Sequence, residues 1–378
     1  MIKKIIKFIK NPKNFFQSIL RKKWLLYYWF SKNGYAPMPA TIFISVNSVC
    51  NARCKMCDVG QGVEGSSFYQ NLVCKDRPEL SLDILKKIID EVKIFKPKIS
   101  ITSTEPLLYK DIIEFSKYVI TNGLILQITT NGILLEKFAK DFVKLGVHEL
   151  WVSIDGPPEI HNEIRGVPQA FEKAISGIKI IDHEKKKLNK KFPKIYINYT
   201  ISNFNYHCLV DFMESIKDLP VNGIYFSHLN FVTNTMAQLH NELFGEIGKA
   251  TPTSLSKVDL LKIKPEILSE QIEQVKQRYK LNIVFSPSIF SVKEIRDYYQ
   301  NPQKVIRKKQ CTVVWESAQI IANGDVIPST RCFMVKLGNI YQNNLKDIWN
   351  SQKMREFRRL LKKHKHFPAC TRCCALMD

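Results

Sequence analysis

Residues 41–57 read TIFISVNSVCNARCKMC. A β-like run, TIFISVN, gives way to Cys50, Cys54 and Cys57, three thiols within eight residues. Thiolates spaced in this way on a loop after a strand can converge on one metal centre. Soft thiolates favour iron–sulfur clusters, zinc or copper(I). Structural zinc takes four ligands. Three local thiols with no obvious fourth nearby point instead to a cubane cluster with one open iron.

Outward from this stretch the pattern alternates. Further strand-like runs are KISITS (98–103), LILQITT (124–130), HELWVSI (148–154), KIYINYTIS (194–202) and GIYFSHL (223–229). Helix-like segments fall between them near 81–94, 110–122, 134–145, 169–184 and 206–217, the first with Ser81 as N-cap and Ile84, Ile88 and Val92 at helical spacing. Repeated strand–helix units with short connections imply parallel strands joined by right-handed crossovers. Six units give an α/β fold, a partial (β/α)6 TIM-like barrel whose strand ends carry the chemistry. Residues 281–286 add an edge strand. A helical stretch at 255–280 and a basic segment at 303–310 lead to a different region. There, short strands flank the turn NGD (323–325) and helix-like segments follow near 344–363. The expected division is an N-terminal extension at 1–40, the barrel at 41–300 and a small module at 301–378.

Cys50-x3-Cys54-x2-Cys57 at the end of the first strand resembles the defining motif of the radical S-adenosylmethionine (radical SAM) superfamily. The resemblance implies a 4Fe–4S cluster whose open iron is chelated by S-adenosylmethionine. It also implies an electron donor such as flavodoxin or ferredoxin, and reductive cleavage to a 5′-deoxyadenosyl radical. Met56 stands where the family often has an aromatic residue near the adenine. STEPLL (103–108) resembles the family's Gly-Gly-Glu-Pro motif. Glu105 and Pro106 match, and Ser103 and Thr104 replace both glycines. A carboxylate at Glu105 suits the cofactor's ammonium; the alternative is a residue that simply starts a helix. TTNG (129–132) and SIDG (153–156) end the third and fourth strands, with His161 and Arg165-Gly166 beyond. By resemblance, Ser153 binds the ribose or carboxylate, Arg165 the carboxylate, and Asn131 is a weaker candidate. For Asn131 and Asp155 ordinary turn chemistry is the competing reading. His161 and Asn198 face either the pocket or the core. No residue is assigned as catalytic beyond the cofactor site.

The tail, Cys311-x20-Cys332 followed by Cys370-x2-Cys373-Cys374, resembles the C-terminal extension of SPASM/twitch radical SAM enzymes. The resemblance implies an auxiliary 4Fe–4S cluster on Cys311, Cys332, Cys370 and Cys373, with Cys374 spare or an alternate for Cys373. Ser329 occupies the place where the family often has a cysteine, and Cys332 is read as its replacement. No cysteines follow for a second auxiliary cluster, so the single-cluster, twitch-like form fits better. A zinc site on the same thiols is the alternative. Cys74 and Cys208 are read as free thiols.

The chain has 378 residues, 45% hydrophobic residues and a formal net charge of +22. No signal peptide is visible, and tightly spaced cysteines point to metal in a cytoplasmic setting. Residues 1–23 hold eight Lys or Arg and no acid, and MIKKIIKFIK places Ile2, Ile5, Ile6 and Ile9 on one helix face. With WLLYYWF at 24–30 this suits peripheral contact of residues 1–30 with the inner face of a membrane; the alternative is docking on the protein's own core. The function expected is hydrogen abstraction from an organic substrate, envelope- or natural-product-related. Forty residues are too few for a winged-helix peptide-recognition domain. Modification of tRNA, motivated by charge, lacks a recognisable RNA-binding module. A non-catalytic iron–sulfur electron carrier would need none of Glu105, Ser153 and Arg165.

Overall fold

A computed structural model describes residues 24–76, 78–306 and 310–373. The strands are β1 (Thr41–Ile44), β2 (Lys98–Ile101), β3 (Leu126–Thr130), β4 (Glu149–Ser153), β5 (Lys194–Ile201), β6 (Gly223–His228), β7 (Ile283–Ser286), β8 (Ser317–Ile320), β9 (Asp325–Ile327) and β10 (Gly338–Asn339). They form one sheet in the order β10-β9-β8-β1-β2-β3-β4-β5-β6-β7. From β8 through β7 every neighbour pair is parallel.

Alternation along each strand shapes the sheet. Ile42, Ile44, Ile99, Ile101, Leu126, Ile128, Leu150, Val152, Ile195 and Ile197 are fully buried in one core shared with the helices. The intervening positions, Phe43, Gln127, Trp151, Ser153, Tyr196 and Asn198, are only half-buried. They form the other face, where Trp151 stacks on Tyr196 at 4.9 Å. A curved parallel sheet with one helix-covered face and one open face is the expected partial barrel.

The helix Leu82–Val92 starts at Ser81, whose side chain accepts the Ile84 amide at 3.4 Å. Helices went unforeseen at several places, Val292–Gln300 among them. Asn234–Phe244 is capped by Thr233, and Pro158–Arg165 begins with proline and ends at Gly166 in the left-handed region (φ 62). The helical stretch expected at 255–280 narrows to Pro265–Arg278. The helix-like segments expected near 344–363 are two helices, Leu345–Trp349 and Gln352–His364, with Ser351 capping the second.

The hairpin around NGD is β8–β9, as read, but β8 also pairs with β1, Thr41 opposite Ser317. The C-terminal region thus continues the barrel sheet. It also holds the N-terminal segment: Trp349 donates to the Pro37 carbonyl at 2.8 Å, and Arg358 to that of Gly34 at 3.1 Å. Among the described residues no helix is long and apolar enough to cross a membrane. The amphipathic pattern of residues 1–23 lies outside the described residues.

Candidate functional site

The residues singled out in the sequence gather at the ends of β1 to β4. The cysteine loop is carried by the helix Pro158–Arg165. The Arg53 amide donates to the Arg165 carbonyl at 2.8 Å, and the Lys55 amide to that of Ile164 at 2.9 Å. Gly166 makes this approach feasible, since a Cβ there would sit 3.0 Å from the Arg53 carbonyl oxygen. Arg165 Nη1 lies 3.5 Å from Cys54 Sγ and Nη2 2.5 Å from Asp155 Oδ2. Cys54 is buried and Cys50 exposed. Burial pushes the Cys54 thiol up to about 12, with the Arg165 cation pulling it down.

Asp155 is a structural hub. It is fully buried; its Oδ1 accepts the Thr200 amide at 2.8 Å, its own amide donates to His161 Nδ1 at 2.9 Å, and its carbonyl accepts Asn205 Nδ2 at 2.8 Å. Burial and the neighbouring Arg165 hold the His161 imidazole well below its ordinary range, so it is neutral. His161 therefore lies in the core. The positive-φ turn expected of Asn-Gly is present at Gly132 (φ 83), but Gly156 does not adopt positive φ. A Cβ on Gly156 would instead meet Ile160 at 2.9 Å.

Glu105 is also fully buried. Its Oε1 accepts the Leu107 amide at 3.0 Å and the Thr130 hydroxyl at 2.7 Å, and its Oε2 accepts the Asn131 amide at 2.7 Å. Burial raises its carboxyl, and these donors oppose that rise. Glu105 does cap the short turn Pro106–Leu108, so the helix-start reading is realised. The same side chain ties β2 to β3 beside the cysteines. Asn131 Nδ2 donates to Asn51 Oδ1 at 2.7 Å and lies 3.8 Å from Cys50 Sγ. Met56 is buried. Ser153 and Asn198 are half-buried and directly paired across β4 and β5. Among the described residues Ser153 has no side-chain hydrogen bond.

The two lost glycines have different fates. Thr104 donates to Asn47 Oδ1 at 2.6 Å, and Asn47 Nδ2 to the Glu105 carbonyl at 2.9 Å, so the threonine locks the loop. Ser103 keeps a glycine-like backbone at φ 98. A non-glycine residue held there is strained by about 1–3 kcal/mol. Ser103→Gly is expected to stabilise the fold by about 1 kcal/mol after glycine's greater chain entropy is deducted. Denaturant unfolding checks this; a loss of stability would mean the hydroxyl is engaged.

Cys311, Cys332, Cys370 and Cys373 line one cavity of about 400 Å³. The Cys311 amide donates to the Lys365 carbonyl at 2.8 Å, which draws the start of this region onto the tail. Ser329 Oγ lies 3.6 Å from Cys332 Sγ, and both face the cavity. Among the described residues no three His, Cys, Asp or Glu side chains close on a point as around a single ion. The thiols border the cavity together with Phe68, Phe333, Phe357 and Phe367. Thr102 and Ser103 line the same cavity, which therefore reaches the end of β2. Cys374 lies outside the described residues. Cys208 is a buried free thiol against Tyr199 and Asn205; the Cys74 amide donates to Ser48 Oγ at 3.2 Å.

Two further residues carry the site without a sequence signal that marked them. Arg331 packs over the Phe68 ring, 3.8 Å from its centroid, and donates to Ser254, whose amide donates to buried Asp58 beside Cys57. Arg372, between Cys370 and Cys373, is buried and donates to five main-chain carbonyls.

A partial barrel with a CxxxCxxC loop after its first strand, and four more cysteines around a C-terminal cavity, is a radical SAM architecture with an added iron–sulfur module. Residues 44–216 match the radical SAM superfamily model and residues 311–374 the SPASM model, an iron–sulfur cluster-binding domain. The chain belongs to the radical SAM superfamily, among members with a SPASM domain. Its cofactors are accordingly a 4Fe–4S cluster, S-adenosylmethionine and auxiliary iron–sulfur chemistry in the SPASM domain. It is 32% identical over 200 residues to an AdoMet-dependent heme synthase of Methanosarcina barkeri, covering 52% of each chain. It is 22% identical over 357 residues to a tungsten-containing aldehyde ferredoxin oxidoreductase cofactor-modifying protein of Pyrococcus furiosus, covering 88% of this chain and 86% of that one. The chain spans about half the length of the heme-synthase relative and of a similar Fe-coproporphyrin III synthase. SuiB of Streptococcus suis, solved with S-adenosylmethionine, shares the fold, with TM-score 0.60 and 17% identity over 92% of this chain and 73% of SuiB.

Proposed function

We propose that Cys50, Cys54 and Cys57 hold the cluster that cleaves S-adenosylmethionine, and that the chain abstracts a hydrogen atom from an organic substrate lying towards the C-terminal cavity. The single observation that carries this reading is the continuity of that cavity from Cys311, Cys332, Cys370 and Cys373 to Ser103, two residues before Glu105. When bound, the reduced cluster supplies the electron that breaks the sulfonium. Glu105, held rigid by three donors, would accept the cofactor's ammonium through its remaining lone pairs. Arg165 is neutralised by Asp155 and orients the Cys54 segment; its remaining donor capacity would serve a carboxylate. The Ser153 hydroxyl, at the rim of the open sheet face, is left for the ribose. Phe68, Phe333, Phe357 and Phe367 give the four thiols of the auxiliary site an apolar wall.

Anaerobic reconstitution followed by dithionite reduction is expected to yield 5′-deoxyadenosine. The Cys50→Ala/Cys54→Ala/Cys57→Ala variant should yield none while retaining about half of the iron, because the second cysteine set stands apart. Product formation by that variant, or no cleavage by a fully loaded wild type, would defeat the reading. Zinc without iron in the variant would reassign the C-terminal site.

A further inference from the structure

The helix at residues 24–30 is docked by one side only. Trp24 and Tyr28 are buried, with the Trp24 indole donating to the Met38 carbonyl at 3.1 Å and Tyr28 meeting Trp315 edge-on at 4.9 Å. On the other side Leu25, Leu26, Trp29 and Phe30 are 37%, 55%, 56% and 77% exposed, and Tyr35 is 39% exposed beside them. A groove of about 490 Å³ runs between Leu26, Tyr27, Phe30 and Tyr35. Large apolar side chains exposed singly need no explanation, but a contiguous group does.

Cations border this patch. Lys362 Nζ donates to the Trp29 carbonyl at 2.9 Å, and the Arg355 guanidinium lies 5.5 Å from the Tyr35 ring. Both belong to the helix Gln352–His364, in which Lys353, Arg355, Arg358, Arg359, Lys362 and Lys363 face a single acid, Glu356. Lys353, Arg359, Lys363 and Lys32 are exposed. In sequence the helix is directly preceded by residues 1–23, with eight Lys or Arg and no acid.

We infer that this face docks the protein on the surface of an anionic lipid bilayer. Tryptophan, phenylalanine and leucine side chains flanked by lysine and arginine are what an interfacial surface needs. The apolar groups enter the headgroup boundary and the cations meet its negative potential. Leu25 and Leu26 have no π-face on which a nucleic-acid base could stack, which favours lipid over single-stranded RNA. A second copy would bring the same basic rim against itself, in a chain already carrying a net charge of +22.

The full chain is incubated with vesicles of phosphatidylcholine mixed with phosphatidylglycerol, and with phosphatidylcholine alone, then sedimented. Binding should be at least about tenfold tighter to the anionic vesicles and should weaken with salt. Trp29→Ser/Phe30→Ser should lower it at least about tenfold with an unchanged thermal midpoint, because both side chains are exposed. Lys353→Gln/Arg359→Gln/Lys363→Gln should flatten the salt dependence. The wild-type tryptophan emission should shift to the blue on vesicle addition, and Trp29→Phe should lose most of that shift. No anionic-vesicle binding, or full binding by the Trp29/Phe30 variant, overturns the inference. So does binding of an RNA oligonucleotide that needs the same two side chains, or a dimer that only their removal dissociates.

Discussion

Asp155→Ala is expected to destabilise the protein by about 3–5 kcal/mol and to strip iron from the first cysteine site. The carboxylate is fully buried and sits 2.5 Å from the Arg165 guanidinium, itself almost inaccessible. Removing one partner leaves an uncompensated cation in the interior. Arg165 Nε already lacks a hydrogen-bond partner among the described residues, so no spare acceptor waits to take the load. The damage would also travel. Asp155 fastens the Thr200 amide on β5, and the carbonyls of Ile164 and Arg165 fasten the cysteine loop at Lys55 and Arg53. A helix end that shifts therefore drags the thiol geometry with it. Asp155→Asn keeps an acceptor for the Thr200 amide and removes only the charge, so its loss should fall between wild type and alanine. Denaturant unfolding and iron counts on all three proteins provide the check. An alanine variant within about 0.5 kcal/mol of wild type with full iron would refute the pairing as an anchor.

How much of this was legible depended on how local each signal is. Cys50, Cys54 and Cys57 could be read because their spacing lies within one loop and their ligand chemistry does not depend on the rest of the chain. Glu105-Pro106 and Asn131-Gly132 could be read because each follows a recognisable strand. The strand runs themselves, from 41 to 229, matched the observed β1 to β6 with one to three residues trimmed at their ends. The pairing of β8 with β1 could not be read. It joins residues at opposite ends of the chain, and hydrophobic alternation says nothing about which strand becomes a neighbour. The helix Pro158–Arg165 was readable in principle. Proline at its first turn and Gly166 after its last are ordinary boundary signals, but attention to SIDG and Arg165 as single motifs hid the element that joins them.

Ser103 shows a different limit. Sequence reported a serine in place of glycine; only the backbone shows that the glycine-like φ of 98 survives the exchange. Likewise Cys332, three residues beyond the expected place, could be grouped with the other tail cysteines only as what the resemblance implies, whereas in the structure Cys311, Cys332, Cys370 and Cys373 all line one cavity. Side-chain identity is local, whereas convergence is a property of the fold.

The same distinction explains why Arg372 passed unnoticed, and it sets the second large effect. An arginine within Cys370-Thr-Arg-Cys373 reads as a surface charge on a tail. Instead all five guanidinium N–H groups are used: on the carbonyls of Tyr298, Lys304 and Thr371 at 2.6, 2.8 and 2.8 Å, and on those of Asp297 and Asn301 at 3.0 and 2.8 Å. Burial pulls its pKa down to about 10, which leaves it charged at neutral pH. It thus closes the C-terminal ends of the helix Val292–Gln300 and the following loop onto the cysteine tail. Arg372→Ala would strip all five carbonyls of their guanidinium donors; those of Asp297 and Asn301 keep the Asn301 and Lys304 amides, and each of the others would cost about 1–3 kcal/mol where water cannot enter. The tail, short and near the end of the described chain, would release before the barrel unfolded. The expected result is loss of the auxiliary iron, with 5′-deoxyadenosine still formed at the first site. Arg372→Lys, with three donors for five acceptors, should lose iron more slowly under chelator. Iron and sulfide counts read beside 5′-deoxyadenosine formation distinguish local release from global unfolding, since only the latter abolishes both. An alanine variant that keeps its full iron under chelator would show that the cysteines hold the tail without Arg372.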